Sequence, residues 1–186
     1  MQPVILGASG VINELPEEGA TTPLEWHPIR GSLEAIARLH HAGYRIIVAF
    51  NQPELSGDTL LNPGALVRQH DAMRRHVAES GGVIDAIFYC PHAPAAECDC
   101  RMPAPGLLRD IAARLHVSLA GLPVIGDSLA YVQAATAAGA RPLLVKTGRG
   151  FGTVSQPGLD PSVPVFNDLY SAVDFLLHPP APATDH

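Results

Sequence analysis

A nearly continuous apolar run stands at Tyr44-Arg45-Ile46-Ile47-Val48-Ala49-Phe50. Such a run predicts a strand that is buried on both faces, as in a parallel sheet covered by helices. Shorter apolar runs occur at residues 4–6, 83–89, 123–125 and 142–145. Segments with helical periodicity alternate with them, at residues 31–41, 63–79, 105–116 and 129–138. The alternation of strand and helix predicts a three-layer α/β/α sandwich with a mostly parallel sheet.

The 186 residues are the length of one domain, which we assign to residues 1–178. Residues 179–186 are rich in proline and alanine, and we expect them to form a flexible C-terminal tail. The net charge of −6 offers no basic surface to nucleic acid. No run approaches the roughly 20 apolar residues that a membrane-spanning helix needs. We therefore expect neither nucleic acid nor a membrane as a partner.

All the cysteines of the chain fall in one short segment, in which a histidine follows the first of them: Cys90, His92, Cys98 and Cys100. Three thiolates and one imidazole are the donor set of a tetrahedral zinc site. Four protein ligands leave no open position, so the predicted zinc is structural and holds a loop. Clustered cysteines that form no disulfide framework indicate a reducing compartment, and we expect the protein in the cytoplasm.

Four segments together resemble the haloacid dehalogenase (HAD) superfamily, and more narrowly the heptose-bisphosphate phosphatases and their histidinol-phosphate phosphatase relatives. They lie at residues 5–13, 48–52, 89–107 and 124–135. The zinc segment, with Arg101, Pro103 and Gly106 after it, is the most specific of the four. The likeness covers roughly residues 3–150. It implies a HAD-like fold with a zinc-binding loop, in which ligands bind at the carboxyl ends of the strands.

The resemblance implies a phosphatase mechanism whose catalytic residues are replaced here. In the family the first strand ends in Asp-x-Asp-Gly-Thr; the first aspartate attacks phosphorus and the second acts as general acid and base, beside Mg²⁺. In this sequence Gly7 stands at the nucleophile position, Ser9 at the acid/base position and Val11 at that of the threonine. Glycine has no side chain to attack with, and a serine hydroxyl does not exchange protons near pH 7 as a carboxylate does.

Two further positions of the implied phosphate pocket are also altered. Phe50 stands where the family has a phosphate-binding threonine or serine, and Met102 stands where it has a lysine. We expect both side chains to fill the vacated pocket and to exclude water from it; a new apolar ligand site is the alternative. Asn51 matches the family, and Arg101 either binds an anion or braces its loop.

The fourth motif of the family retains one acid, Asp127, whereas Tyr131 stands where a second acid would follow. Asp127 is either the cap of the helix after it or a residual Mg²⁺ ligand. With Gly7 in place of another carboxylate, any Mg²⁺ would bind weakly, and its presence is doubtful. The stretch Thr147-Gly148-Arg149-Gly150 resembles the Thr-Gly-Lys-Gly loop of the family.

These replacements predict a catalytically inactive homologue that keeps the structural zinc and serves as a binding or regulatory protein. Its target would be a protein partner or a sugar-phosphate ligand. The residual pocket would consist of Asn51, Arg101 and Asp127. The alternative is a hydrolase that acts on a sugar phosphate with altered catalytic residues, using Ser9, Arg101 and Asp127 as its polar groups.

Overall fold

The structure is a computed structural model that describes residues 2–15, 26–52 and 63–179. Strands and helices alternate along the described chain, as the apolar and amphipathic segments predict. The predicted boundaries differ from the observed ones by a few residues at most, because the ends of apolar runs and the ends of hydrogen-bonded elements need not coincide. The elements are β1 (Pro3–Leu6), α1 (Ser32–His41), β2 (Arg45–Asn51), α2 (Pro63–Glu79), β3 (Ala86–Cys90), α3 (Gly106–Leu115), β4 (Pro123–Gly126), α4 (Leu129–Ala137), β5 (Arg141–Val145), α5 (Gly150–Thr153), β6 (Val165–Phe166) and α6 (Leu169–Leu177).

The strands form one sheet in the order β3-β2-β1-β4-β5-β6, and every neighbouring pair is parallel. In β1 the pairing with β2 runs from Pro3 opposite Arg45 to Leu6 opposite Val48. Strand order reverses between β1 and β4, which pair through Ile5 opposite Val124. In open parallel sheets, ligands bind at the carboxyl ends of the strands beside such a reversal. The loops after β1 and β4 are therefore the first place to look for a site.

Helices cover both faces of the sheet, which confirms the three-layer prediction. On one face, α1, α2 and α6 pack on alternate residues of the strands, including the fully buried Leu6, Val48 and Ile125. On the other face, α3 and α4 pack on a second cluster that includes Ile5 and Ile47. Strand side chains alternate between the faces, so consecutive apolar residues in β1 and β2 are all buried.

Three elements near the end of the chain were not predicted: α5, β6 and α6. The strand β6 has only two residues and α5 only four, two of which are glycines, so neither carries a readable period. The helix α6 did carry a signal, because Asp168 caps it by accepting a hydrogen bond from the backbone N–H of Ser171 at 2.8 Å. The tail predicted at residues 179–186 lies outside the described residues except for its first position.

Within the three described ranges, no helix is both long enough and apolar enough to cross a membrane. The longest of these helices, α2, has 17 residues and carries charged residues along its length.

Candidate functional site

Gly7 and Asp127 lie at the reversal of strand order, one after each of the two central strands. The N–H of Gly7 donates a hydrogen bond to the carbonyl of Ile125 at 2.9 Å, which continues the pairing of β1 with β4 and fixes the backbone there. Asp127 follows β4 directly, and its side chain is buried. The structure thus brings together two positions that the sequence analysis selected from separate motifs.

Two side chains lie next to Gly7: that of Val11 and that of Tyr131, on the first turn of α4. A Cβ atom added at Gly7 would lie 3.1 Å from both the ring Cζ and the hydroxyl of Tyr131, and 2.9 Å from Cγ2 of Val11. The Tyr131 hydroxyl donates a hydrogen bond of 2.6 Å to the carbonyl of Ala49 on β2. Burial raises the pKa of this phenol, so it remains a neutral donor. Tyr131 therefore fills the space into which a side chain at position 7 would point.

The Asp127 carboxylate is held by the loop after β5. Its Oδ2 accepts a hydrogen bond from the backbone N–H of Arg149 at 2.9 Å, and the Arg149 guanidinium lies 3.9 Å away. The backbones of Gly10 and Gly148 approach so closely that a Cβ at either position would collide with this oxygen. Burial raises the pKa of the Asp127 carboxyl, and the Arg149 N–H and charge offset part of that rise.

The prediction that Asp127 caps α4 is wrong. The N-cap residue is Ser128, and the helix has no side-chain cap hydrogen bond, because the Asp127 carboxylate turns away from the helix toward Arg149. Among the described residues, the second Asp127 oxygen, Oδ1, is buried without a hydrogen-bond partner. In residues 7–13 and 127–131 it is the one carboxylate oxygen left for a metal, whereas Mg²⁺ requires a shell of several oxygens in octahedral geometry. The residues present do not fit tightly bound Mg²⁺.

The Asn51 side chain, predicted as part of a residual pocket, is used to hold the loop after the cysteine cluster. Its Nδ2 donates to the carbonyl of Met102 at 2.9 Å, and its Oδ1 accepts from the N–H of Met102 at 3.0 Å. Met102 is 2% exposed and packs with Ile5 and Ile47. Phe50 packs on the opposite face of the sheet, with its ring centroid 5.8 Å from that of His70. The structure therefore separates Phe50 from Met102, which the sequence analysis had placed together.

We expect Asn51→Ala to lower the free energy of unfolding by about 2 kcal/mol, because both backbone groups of the buried Met102 lose their partner. The matched control is Asn167→Ala, since Asn167 is exposed and its Oδ1 accepts a long hydrogen bond from the exposed Lys146 amine at 3.4 Å. That change should cost less than about 0.5 kcal/mol. Urea unfolding of the two variants measures the difference, and equal effects would show that the Asn51–Met102 contact does not stabilise the loop.

The four predicted zinc ligands lie together. The Sγ atom of Cys98 is 3.8 Å from those of Cys90 and Cys100, and the latter two are 3.0 Å apart. His92 Nδ1 lies 3.5 Å from Cys90 Sγ and 3.2 Å from Cys100 Sγ. With Zn–S bonds of about 2.3 Å, a tetrahedral site has sulfur–sulfur edges of roughly 3.8 Å. Two of the three sulfur–sulfur distances match this edge, and the Cys90–Cys100 distance is shorter than it. The ligand types and their close approach, with all ligand atoms within 4.8 Å of one another, are those of a site that could hold a metal such as zinc.

The electrostatics of the cluster also favour a cation. Burial and the neighbouring Cys90 and Cys98 thiols raise the pKa of Cys100 to about 12, because a second thiolate next to the first is unfavourable. A bound dication would reverse this effect by attracting all three thiolates. Cys90 is buried, while Cys98 and Cys100 are half-buried, so the cluster lies at the surface end of β3.

The loop around the cluster is fastened by hydrogen bonds as well. Arg101 donates through Nη1 to the carbonyl of His92 at 3.3 Å, so the loop-bracing role is the one for which the structure supplies a contact. The N–H of Gly106 donates to the carbonyl of Asp99 at 2.8 Å, and a Cβ at Gly106 would collide with that carbonyl. The loop therefore folds back onto the start of α3.

Comparisons with known proteins agree with this geometry. A model of HAD-hydrolase-like proteins matches residues 99–172. The D-glycero-beta-D-manno-heptose-1,7-bisphosphate 7-phosphatase of Bordetella bronchiseptica is 45% identical over 177 residues, which are 95% of this chain and 98% of that protein. The protein of the same description from Pseudomonas aeruginosa is 41% identical, over 94% and 97%. The chain belongs to the HAD-like heptose-bisphosphate phosphatase family.

Solved structures of this family place its members on the same fold. The crystal structure of the Bordetella bronchiseptica phosphatase, complexed with magnesium and phosphate, matches with a TM-score of 0.89 over 95% of this chain and 98% of that one. The Burkholderia thailandensis phosphatase structure matches with a TM-score of 0.75 at 40% identity, over 96% and 100%. The predicted family and the predicted HAD-like fold are both confirmed.

Two functional features were missed at the sequence level. Tyr131 was noted only as the replacement of an acid, whereas the structure places it against Gly7. The contact between Arg149 and Asp127 was not predicted, although the likeness of residues 147–150 to the Thr-Gly-Lys-Gly loop of the family was a signal that this segment approaches the site. The Oγ of Ser9 accepts a hydrogen bond from Nδ2 of Asn13 at 3.3 Å, and an amide is not a catalytic base.

Proposed function

We propose that this protein is a catalytically inactive member of the heptose-bisphosphate phosphatase family, retained for binding or regulation. The observation that carries the proposal is the position of Gly7. It directly follows β1 at the reversal of strand order, where the reaction of the family needs a carboxylate nucleophile, and it has no side chain. Without that carboxylate no aspartyl phosphate can form.

The other groups of the reaction are missing from the same region. The loops at residues 7–13, 51–52 and 126–131 together contain one carboxylate, that of Asp127. Ser9 cannot act as a general acid near pH 7, and Met102 supplies no positive charge. Because nucleophile, acid and cation act as a unit, the loss of all three leaves no partial mechanism to sustain turnover.

We assign the Cys90, His92, Cys98 and Cys100 cluster to a structural zinc. All four positions of a tetrahedral ion would be filled by protein atoms, so the metal would have no place for a substrate. Its effect would be to stabilise the irregular loop between β3 and α3. A chain that keeps this loop and the fold, without the carboxylates of the reaction, is suited to binding rather than to catalysis.

The binding target that we propose is a protein partner or a sugar phosphate. The sugar phosphate is the class of compound named for the relatives, as a heptose 1,7-bisphosphate. The polar groups left for it are the exposed Arg149 and the half-buried Arg101, which lie on the loops after β5 and β3. We propose a protein partner because a fold that is retained without the catalytic groups would have to serve a function other than catalysis, such as binding another protein.

The alternative is a hydrolase with altered catalytic groups. Ser9, Arg101 and Asp127 would then be its polar residues. A serine nucleophile needs a neighbouring base, and the recorded contact of Ser9 is with Asn13, whose amide is not a base. The structure thus gives this alternative less support than the inactive homologue.

Beryllium fluoride with Mg²⁺ distinguishes the two functions, because it mimics a phosphoryl group bound to a carboxylate nucleophile. We expect no change in the melting temperature of this protein when the reagent is added. The family has a carboxylate at this position, so the Bordetella bronchiseptica relative should be stabilised by several degrees under the same conditions. Thermal unfolding, followed by fluorescence or calorimetry, measures the melting temperatures of the two proteins with and without the reagent.

A saturable rise in the melting temperature of this protein would favour the altered hydrolase. Fluoride without beryllium and Mg²⁺ alone serve as controls, so that a general salt effect is not mistaken for binding. An Asp127→Asn variant, which removes the one carboxylate of the region, should abolish such a rise if it comes from this site.

A further inference from the structure

We infer that Tyr131, together with Val11, closes the former catalytic pocket, and that glycine is favoured at position 7 because the Val11 methyl group and the Tyr131 ring lie within 3.1 Å of the place that a Cβ would occupy. The inference rests on the proposed function and extends it: besides lacking the groups of the reaction, the pocket is filled. The phenol then acts as a positioning residue that joins three strand ends, and a nucleophile cannot be restored at position 7 while it is present.

The ring spans the carboxyl ends of β4, β1 and β2. At β4 it packs so closely on Gly126 that a Cβ there would collide with the Cβ and ring of Tyr131. At β1 its Cζ and hydroxyl lie 3.1 Å from the position of a Gly7 Cβ. At β2 its hydroxyl donates to the Ala49 carbonyl at 2.6 Å. The Tyr131 side chain therefore packs against glycines at the ends of β4 and β1, and it donates a hydrogen bond to a carbonyl of β2.

Neither the Gly7 backbone nor the Tyr131 side chain can move away easily. The Gly7 backbone is held by its hydrogen bond to Ile125, and Cγ2 of Val11 lies only 2.9 Å from the added Cβ on another side. The Tyr131 hydroxyl is fixed by Ala49, and its ring packs against the cluster that includes Ile5 and Ile47. Close-packed groups of this kind respond to an added methyl group with strain.

The first measurement compares Gly7→Ala with Gly152→Ala. Neither glycine has a left-handed backbone, but a Cβ at Gly152 would meet nothing within 4 Å, so the two substitutions differ in the space available. We expect Gly7→Ala to lower the melting temperature by about 5 °C and Gly152→Ala to change it by less than about 2 °C.

The second measurement repeats Gly7→Ala in a Tyr131→Leu background. Leucine keeps apolar volume but lacks the Cζ and hydroxyl atoms that approach position 7. We expect the shift caused by Gly7→Ala to fall from about 5 °C to about 3 °C, because the contact with Tyr131 is removed while that with Cγ2 of Val11 remains. If the Tyr131→Leu protein does not fold, Tyr131→Phe replaces it; this variant removes the hydroxyl alone and should reduce the shift by part of that amount.

Two results would overturn the inference. One is a Gly7→Ala protein as stable as the Gly152→Ala protein. The other is an equal Gly7→Ala shift with and without the Tyr131 ring, which would assign the strain to Val11 or to the backbone. These readouts are melting temperatures of the folded chain, so they are separate from turnover: activity in the wild-type protein would contradict the proposed function and leave the packing result to stand.

Discussion

Cys90→Ser should abolish zinc binding and lower the free energy of unfolding by about 4 kcal/mol, which corresponds to a fall of roughly 10 °C in melting temperature. Cys90 is the last residue of β3, is fully buried, and has its Sγ within 3.8 Å of the other two sulfurs. Serine offers a weak oxygen ligand at a position where the geometry is set for a thiolate. Three ligands would then hold the metal poorly, and the loop up to Gly106 would lose its cross-link.

We expect the loss of stability to extend to the centre of the protein, because the loop that carries the cysteine cluster continues into the core. Met102 follows the last ligand by two residues and is both buried and fastened to Asn51. If the loop is no longer held by the metal, its greater mobility should weaken the contact between Met102 and Asn51. It should also weaken the close packing of Gly106 on Asp99. For that reason we expect the zinc ligands to matter more for stability than other residues near the surface.

Elemental analysis and urea unfolding measure the two parts of this prediction. A strong zinc chelator should lower the stability of the wild-type protein to that of Cys90→Ser and should leave the variant unchanged. His92→Ala and His41→Ala form a matched pair, since both histidines are exposed and only His92 has its ring in the cluster. Zinc content near zero in the wild-type protein, or equal stability of Cys90→Ser and wild type, would contradict the assignment.

The fold was predictable because the strands of a parallel sheet buried on both faces consist of consecutive apolar residues, a pattern that can be read in the sequence. The run at residues 44–50 has no polar side to place in solvent, so it must lie between two layers. The helices α1 and α3, which lie between such runs, each carry one apolar stripe. By contrast, β6 is two residues long, and its pairing with β5 depends on Lys146 and Leu144 rather than on any pattern of its own.

The site was predictable only in part, because its residues are distant in the sequence. The cysteine cluster is local, and its spacing alone indicates a tetrahedral metal. The contact between Arg149 and Asp127 joins residues 22 positions apart, and that between Tyr131 and Ala49 joins residues 82 positions apart. Such contacts follow from strand order and helix placement, which a motif does not contain. For the same reason the sequence around Asp127 is compatible with a helix cap, whereas in the fold its carboxylate is bound by the N–H of Arg149 in the loop after β5.

The rate of phosphate release should be lower than that of an active relative by a factor on the order of 10⁶ or more, which places it at background. Removal of a covalent nucleophile alone costs several orders of magnitude. Under the proposed function the general acid and the cation are replaced as well, and the space beside Gly7 contains the Val11 methyl group and the Tyr131 ring. The Asp127 carboxylate accepts a hydrogen bond from the backbone N–H of Arg149.

The most direct test is therefore phosphate release from D-glycero-beta-D-manno-heptose 1,7-bisphosphate with Mg²⁺ present, with the Bordetella bronchiseptica relative as the positive control. The account predicts that this protein releases phosphate no faster than a heat-denatured sample, while the control turns over rapidly. Sustained release that survives repeated purification and disappears in the Asp127→Asn variant would contradict it, because that result would show a working phosphatase at this site.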